Sequence, residues 1–328
     1  MKGTAVAPQH SALLMSDGAQ QWISAMRAGD YPRAWALSAR DMAQRDPATR
    51  DDPSLPYHLR WVWDGRSFDG YDVLVRCYHG LGDTIQFARF LPILARRAAS
   101  VTVEAPARLR DLIASVDAGI NVVPFDHAHP LPPAACDIEI TELPFALRAR
   151  PETGIFPYVK ASAAALPAGI TGLCHQGGDW DPARSLDPAL FAPVAAAHRC
   201  ITLVAEPSPL PVLNPSGCAF AMDATASLVA ACDLVITVDT MIAHLAGALG
   251  RPTWLLLKAE PDWRWNPAAT DTPWYPNMRL YVQRTPGDWA GVIARVVRDL
   301  ADRTSTFTND ERLAHGEYRG TISSRVLG

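Results

Sequence analysis

Two rhythms of apolar and polar positions divide the chain. Between residues 20 and 38, Trp22, Ile23 and Met26, then Ala34, Trp35 and Leu37, recur three and four positions apart. That spacing predicts amphipathic helices. The intervening Gly29-Asp30-Tyr31-Pro32 predicts a tight turn, so the segment reads as an αα-hairpin. It resembles one tetratricopeptide-type unit, without a second copy at a period of about 34 residues. Polar, proline-bearing residues 46–56 then read as a linker.

From about residue 70 the rhythm changes to short apolar runs alternating with Ala/Leu-rich helical stretches. Strands are expected at 72–77, 101–104, 121–124 and 137–140, with helices at 84–97, 106–116 and 143–148. A proline- and alanine-rich break at 160–169 precedes a second series. Its strands are expected at 170–174, 201–205, 233–238 and 253–257, and its helices at 188–198, 225–231 and 241–249. Such alternation is the signature of parallel sheets covered on both faces. Two doubly wound halves would then face a cleft at the carboxyl ends of their strands. The expected division is a helical segment and linker at 1–66, a Rossmann-like domain at 67–165, a second at 166–303 with a closing helix at 287–303, and a loosely held tail at 304–328.

Composition narrows this picture. A length of 328 residues suits two domains, and 48% hydrophobic with 20% charged residues describes a globular chain. The net charge of −4 offers no polybasic surface, so no nucleic-acid partner is expected. No apolar run approaches the roughly 18 residues of a membrane span. The N-terminus lacks the apolar core of a signal peptide. Six cysteines without a C-x-x-C pair suit buried, reduced thiols, and a cytoplasmic location is expected.

Candidate chemistry gathers at four places. Residues 78–86 read YHGLGDTIQ directly after a strand. Gly80 and Gly82 would permit positive φ and close ligand approach, and Asp83 stands at an expected N-cap. Asp83 either caps a helix beginning near Thr84 or points a carboxylate at chemistry. Ile85 occupies the position of the third glycine in the dinucleotide fingerprint, which disfavours NAD. In the second half, the strand ending at Asp239 leads through Thr240 and Met241 into a small-residue helix bearing His244. Its N-terminus suits an anion such as pyrophosphate, while Ala243, Ala246 and Gly247 would pack it on the sheet.

The third place is the loop from Gly177 to Ser185, where Arg184 offers a planar fork for phosphate. Asp179 and Asp181 there form an Asp-x-Asp pattern, and Asp126-His127-Ala128-His129 is a second conceivable metal sequence; neither is expected to bind one. The fourth is Pro261-Asp262-Trp263-Arg264-Trp265 with the later Trp274 and Tyr275. Its aromatics are expected to pack loop on domain, with Asp262 and Arg264 as cleft-facing candidates.

In combination, HGLGDTIQFARFLPILARRAASVTVEAPARLRDLI and CDLVITVDTMIAHLAGALGRPTWLLLKAEPDWRW with DTPWYPNMRLY resemble the heptosyltransferase-like glycosyltransferases of family 9. The likeness covers about residues 55–300 and is closest to the branch that follows tetratricopeptide repeats. It implies an α/β GT-B fold and inverting transfer without a metal. The donor would be ADP-heptose or another nucleoside-diphosphate sugar, with no further cofactor. It implies that Asp83 is the base, on the acceptor side with Gly80, Gly82 and Gln86. Asp239, Thr240, Met241 and His244 match the donor-phosphate loop, Arg184 the diphosphate contact, and Glu206 a ribose contact. The acceptor would be a glycan, a lipid-linked glycan or a protein, and the hairpin offers a surface to a protein partner. The tract after the first strand of the second half reads His175-Gln176-Gly177 where the family usually has Trp-Ser-Gly. A degenerate module that binds nucleotide or a protein partner without catalysis is the alternative.

Overall fold

The computed structural model describes residues 17–215 and 221–316, the side chains of 304–316 excepted. Helices α1 (Asp17–Arg27) and α2 (Tyr31–Ala43) form the expected hairpin. Gly29 turns the chain at φ 71°, and Asp30 caps α2 by accepting from the Arg33 N–H at 3.2 Å. The hairpin touches both halves of the molecule. Trp35 packs on Phe145 of the first half, and Trp22 meets Trp263 of the second edge-on at 4.8 Å.

The first half is a four-stranded parallel sheet, β1 (Asp72–Arg76), β2 (Ser100–Ala105), β3 (Ile120–Pro124) and β4 (Cys136–Glu139), in the order β3-β2-β1-β4. Helices α3 (Leu81–Phe87), α4 (Leu91–Ala95), α5 (Arg110–Ala114) and α6 (Leu143–Leu147) connect it. The second half is a five-stranded parallel sheet, β5 (Thr171–Cys174), β6 (Cys200–Thr202), β7 (Leu234–Val238), β8 (Thr253–Leu257) and β9 (Met278–Val282), in the order β6-β5-β7-β8-β9. Its helices are α7 (Ala192–Ala197), α8 (Met222–Ala231), α9 (Met241–Ala248) and α10 (Trp289–Gly316). β7 and β8 are buried throughout, as strands covered on both faces must be.

Strand order reverses between β1 and β4 and between β5 and β7, so each sheet has a crevice at the carboxyl ends of those strands. The loops leaving β1, β5, β7 and β8 carry most of the candidate residues, and α3 packs directly on α9.

Several details differ from the sequence pattern. The expected helix at 84–97 starts at Leu81 and is interrupted by a 3-10 turn, Ala88–Phe90, before α4. Pro92 lacks the N–H that would continue the ladder there. β6 ends at Thr202, and the chain after it turns into a loop that returns to pair with Ile201 at Leu213. β9 was not legible as a strand. α10 runs on to Gly316, past the expected boundary at 303. The break at 160–169 is tied to the second half, with the Ala164 N–H donating to the Ser227 carbonyl at 2.9 Å. Five cysteines are free and buried, while Cys218 lies outside the described residues. Among the described residues no helix is long and apolar enough to cross a membrane.

Candidate active site

Asp83 is not the N-cap residue. Gly80 occupies the N-cap with φ −68° and ψ 168°, α3 begins at Leu81, and Asp83 is the third helical residue. Its Oδ2 accepts from the Gly80 N–H at 3.1 Å, which is the side-chain half of a capping box. Neither glycine of the motif sits at positive φ. Gly82 is small for another reason: a Cβ there would lie 2.8 Å from His244 Cδ2. The missing side chain lets α3 of the first half close on α9 of the second.

On the facing side, Thr240 enters α9 in extended conformation, and its carbonyl accepts from the Ala243 N–H at 2.9 Å. Asp239 directly follows β7 and is buried. Burial, reinforced by neighbouring Asp262, pushes its carboxyl up to about 6 against the opposing pull of Arg184 and Arg264. His244 is also buried, and burial holds it neutral, far below its usual range. Its Nδ1 lies 3.0 Å from the Tyr275 hydroxyl. With that hydroxyl donating, the imidazole proton sits on Nε2 and remains a donor. Gly247 packs on the Tyr275 ring, 2.4 Å from where a Cβ would stand, so its smallness accommodates a loop rather than the sheet.

Arg184 sits in a 3-10 turn capped by Asp181. It donates from Nη1 to the Asp239 carbonyl at 3.0 Å, and its guanidinium lies 4.0 Å from the centre of the exposed Trp180 ring. Arg264 reaches across the cleft to pair with Asp83, and it also pairs with Asp262 at 2.7 Å.

These residues enclose a cavity of about 260 Å³ between the halves, lined by Gly80, Gly82, Asp83, Arg184, Asp239, Thr240, Met241, His244, Asp262 and Arg264. A larger groove of about 1080 Å³ adjoins it and shares Gly80, Asp83, Trp180, Asp262 and Arg264. Trp22 and Met26 of the hairpin form part of the groove's wall.

Two candidates fall outside this grouping. Gln86 is fully buried behind the cleft, where its Oε1 accepts from Arg264 Nε at 2.5 Å, so it supports rather than lines the cavity. Glu206 is exposed on the loop after β6, near enough to act on the charge of His175, and lines neither cavity. Trp265, Trp274 and Tyr275 are buried packing residues, as expected of most of that loop. Asp181 Oδ2 accepts from Lys258 at 2.6 Å, and His129 pairs locally with Asp126 at 3.2 Å. Among the described residues no three His, Cys, Asp or Glu side chains are grouped to hold a metal. Sequence reasoning did not single out Trp180 as a wall of the cleft. Its place between two glycines and Arg184 in a strand-following loop was the available signal.

Residues 219–277 match the model of glycosyltransferase family 9 (heptosyltransferase). That segment contains β7, α9 and the Asp262–Arg264 loop. Protein FlbA of Caulobacter vibrioides is 38% identical over 82 residues, which span 25% of this chain and 13% of FlbA. An Escherichia coli ADP-heptose lps heptosyltransferase II superposes with a TM-score of 0.51 at 15% identity, over 71% of this chain and 98% of that one. A family 9 glycosyl transferase from Veillonella parvula gives 0.53 at 11% identity, over 74% and 98%. At such identities the superpositions establish the fold, two Rossmann-like halves of the GT-B type. The chain thus combines a GT-B fold with a segment, residues 219–277, that is similar to the heptosyltransferase-like glycosyltransferases of family 9.

Proposed function

We propose that the protein transfers a sugar from a nucleoside-diphosphate donor to an acceptor hydroxyl, with inversion and without a metal. The observation that carries the reading is one cavity with a carboxylate on one wall and an anion cradle on the other. Asp83 lies on the first half, and Arg184, the start of α9 and His244 lie on the second. Metal independence rests on this cradle: Arg184, the free N–H groups at the start of α9 and His244 Nε2 are set to receive the charge that a metal would otherwise neutralise.

In the step itself, the acceptor oxygen forms a bond to the anomeric carbon as the bond from that carbon to the diphosphate breaks. The hydroxyl proton passes to Asp83, and the diphosphate departs with one more negative charge. The donor, ADP-heptose or another nucleoside-diphosphate sugar, places its diphosphate in the small cavity. The acceptor approaches along the larger groove, so the hairpin helps to bind it. That groove's cations, Arg45 and Arg264, are already paired with Glu142 and with Asp83 and Asp262. A neutral acceptor segment, glycan or polypeptide, therefore suits it better than a phosphorylated one. The cytoplasm, where nucleotide sugars are made and thiols stay reduced, is the compartment we assign.

Asp83→Asn should lower transfer by about a hundredfold to ten-thousandfold while the protein still binds nucleotide. Full activity in that variant would remove Asp83 from its role. Nucleotide binding in the native protein without turnover of any sugar nucleotide would favour the non-catalytic alternative.

A further inference from the structure

Arg264 donates through all three of its guanidinium nitrogens. Nη2 bonds Asp83 Oδ1, Nη1 bonds Asp262 Oδ1 at 2.7 Å, and Nε bonds Gln86 Oε1 at 2.5 Å. Its charged group also lies 4.6 Å from the Trp263 ring centre and 5.6 Å from that of Phe87. Asp83, Gln86 and Phe87 belong to the first half, Asp262 and Trp263 to the second. One cation thus bridges the cleft, and it lines the same cavity as Arg184 and the start of α9.

With this bridge in place, both oxygens of Asp83 are engaged. Oδ2 holds the Gly80 N–H, and Oδ1 holds Arg264. A general base must offer an oxygen to the acceptor hydroxyl within hydrogen-bond reach. The strong bond to Arg264 occupies the oxygen that faces the second half. A diphosphate in the cavity would compete for that guanidinium. It carries more negative charge than a single carboxylate, and its oxygens match the planar fork.

We propose that Arg264 is an exchangeable counter-ion. It pairs with Asp83 while the cleft is empty and turns Nη2 to the donor diphosphate when that anion binds. Asp83 Oδ1 is thereby opened to the acceptor hydroxyl only once the donor is seated. Asp262 and Gln86 hold Nη1 and Nε, confining the exchange to one nitrogen. Arg264 is on this account a positioning residue for Asp83 and a second cation, after Arg184, for the donor. The proposal rests on the transferase reading for the identity of the anion.

A fixed interdomain lock would predict a different response from an exchangeable one, and calorimetric titration with ADP and with inorganic pyrophosphate separates them. If the ion exchanges, Asp83→Asn frees Arg264 and tightens binding by about fivefold or more. Arg264→Gln weakens it by about tenfold, and adding Asp83→Asn to Arg264→Gln brings no further gain. Arg264→Lys, which keeps the charge without the fork, should retain part of the gain and guards against a misfolded glutamine variant. Equal or weaker binding by Asp83→Asn overturns the exchange. So does an equal gain with and without Arg264, because that would reflect only the loss of repulsion from Asp83. In both cases ADP still binds and the transferase reading stands, whereas failure of the native protein to bind either probe overturns both.

Discussion

Two arginines cross between the halves of the molecule, and their surroundings differ in kind. Arg89, in the 3-10 turn after α3, is 5% exposed. It donates to the carbonyls of Gln86 (2.9 Å), Pro151 (3.2 Å) and Trp274 (2.5 Å) and to the Tyr158 hydroxyl (3.3 Å). The rings of Tyr158, Trp274 and Tyr275 surround its charge. Arg264 is instead held by two carboxylates and an amide on the wall of a cavity. Backbone carbonyls in a packed loop cannot turn away, whereas carboxylate side chains beside open space can exchange partners. Arg89 therefore pins the two halves together, whereas Arg264 borders the cavity between them.

The largest effect should come from breaking the pin. Arg89→Met would remove the charge and leave the buried carbonyls of Pro151 and Trp274 short of a donor, costing about 3 kcal/mol or more. Chemical denaturation would measure it. Arg264→Gln should cost clearly less, because the carboxylates it leaves behind border an open cavity. Equal losses would dissolve the distinction between pin and cavity edge.

Asp239 sharpens the same contrast through pH. Burial raises its folded-state pKa from the ordinary 3.8 to about 6. The ionised form thus costs stability above pH 6, by about 3 kcal/mol at most, and the cost disappears below pH 4. Asp239→Asn should melt higher than the native protein at pH 7.5, and the gap should close as pH falls from 6 towards 4. Buried neutral His244 makes the protein less stable in acid, but it is common to both proteins and cancels in the difference. A gap independent of pH would mean that Asp239 is not the strained carboxylate of the site.

Much of this arrangement was legible beforehand, for physical reasons that differ by element. β7 and α9 were readable because a wholly apolar strand meets a run of small residues ending at Gly250, each with its own period. β9 was not, since Met278-Arg279-Leu280-Tyr281-Val282 is short and follows a proline-broken aromatic loop. Asp83 was recognisable as a cleft residue, yet its helical position was misplaced. An aspartate before an apolar run suits an N-cap, and only the Gly80 N–H contact identifies it as the third residue. Glu206 was expected at a ribose because the strand before it was drawn too long. The bond from Arg264 to Asp83 joins residues far apart in sequence, and no local pattern encodes such a contact.

The smallest effect concerns the hairpin, which the fold attaches to the same loop. Arg27 donates from Nη2 to the carbonyls of Pro261 (2.7 Å) and Asp262 (3.3 Å), and Asn266 returns a bond to the Arg27 carbonyl at 3.3 Å. Trp22 meets Trp263 beside them. A hairpin serving only as an appended module would have no need to grip the loop that presents Arg264. Arg27→Ala loses one part-buried charged donor shared by two carbonyls, so global stability should fall by only about 2 kcal/mol. Nucleotide affinity should hold, because Arg27 lines neither cavity. The acceptor's KM should nonetheless rise several-fold, since the groove wall built by Trp22 and Met26 loses its anchor to the second half. Steady-state kinetics with donor saturating and acceptor varied would measure it. An unchanged KM would separate the hairpin from the acceptor and leave the cleft between the two sheets as the whole of the site.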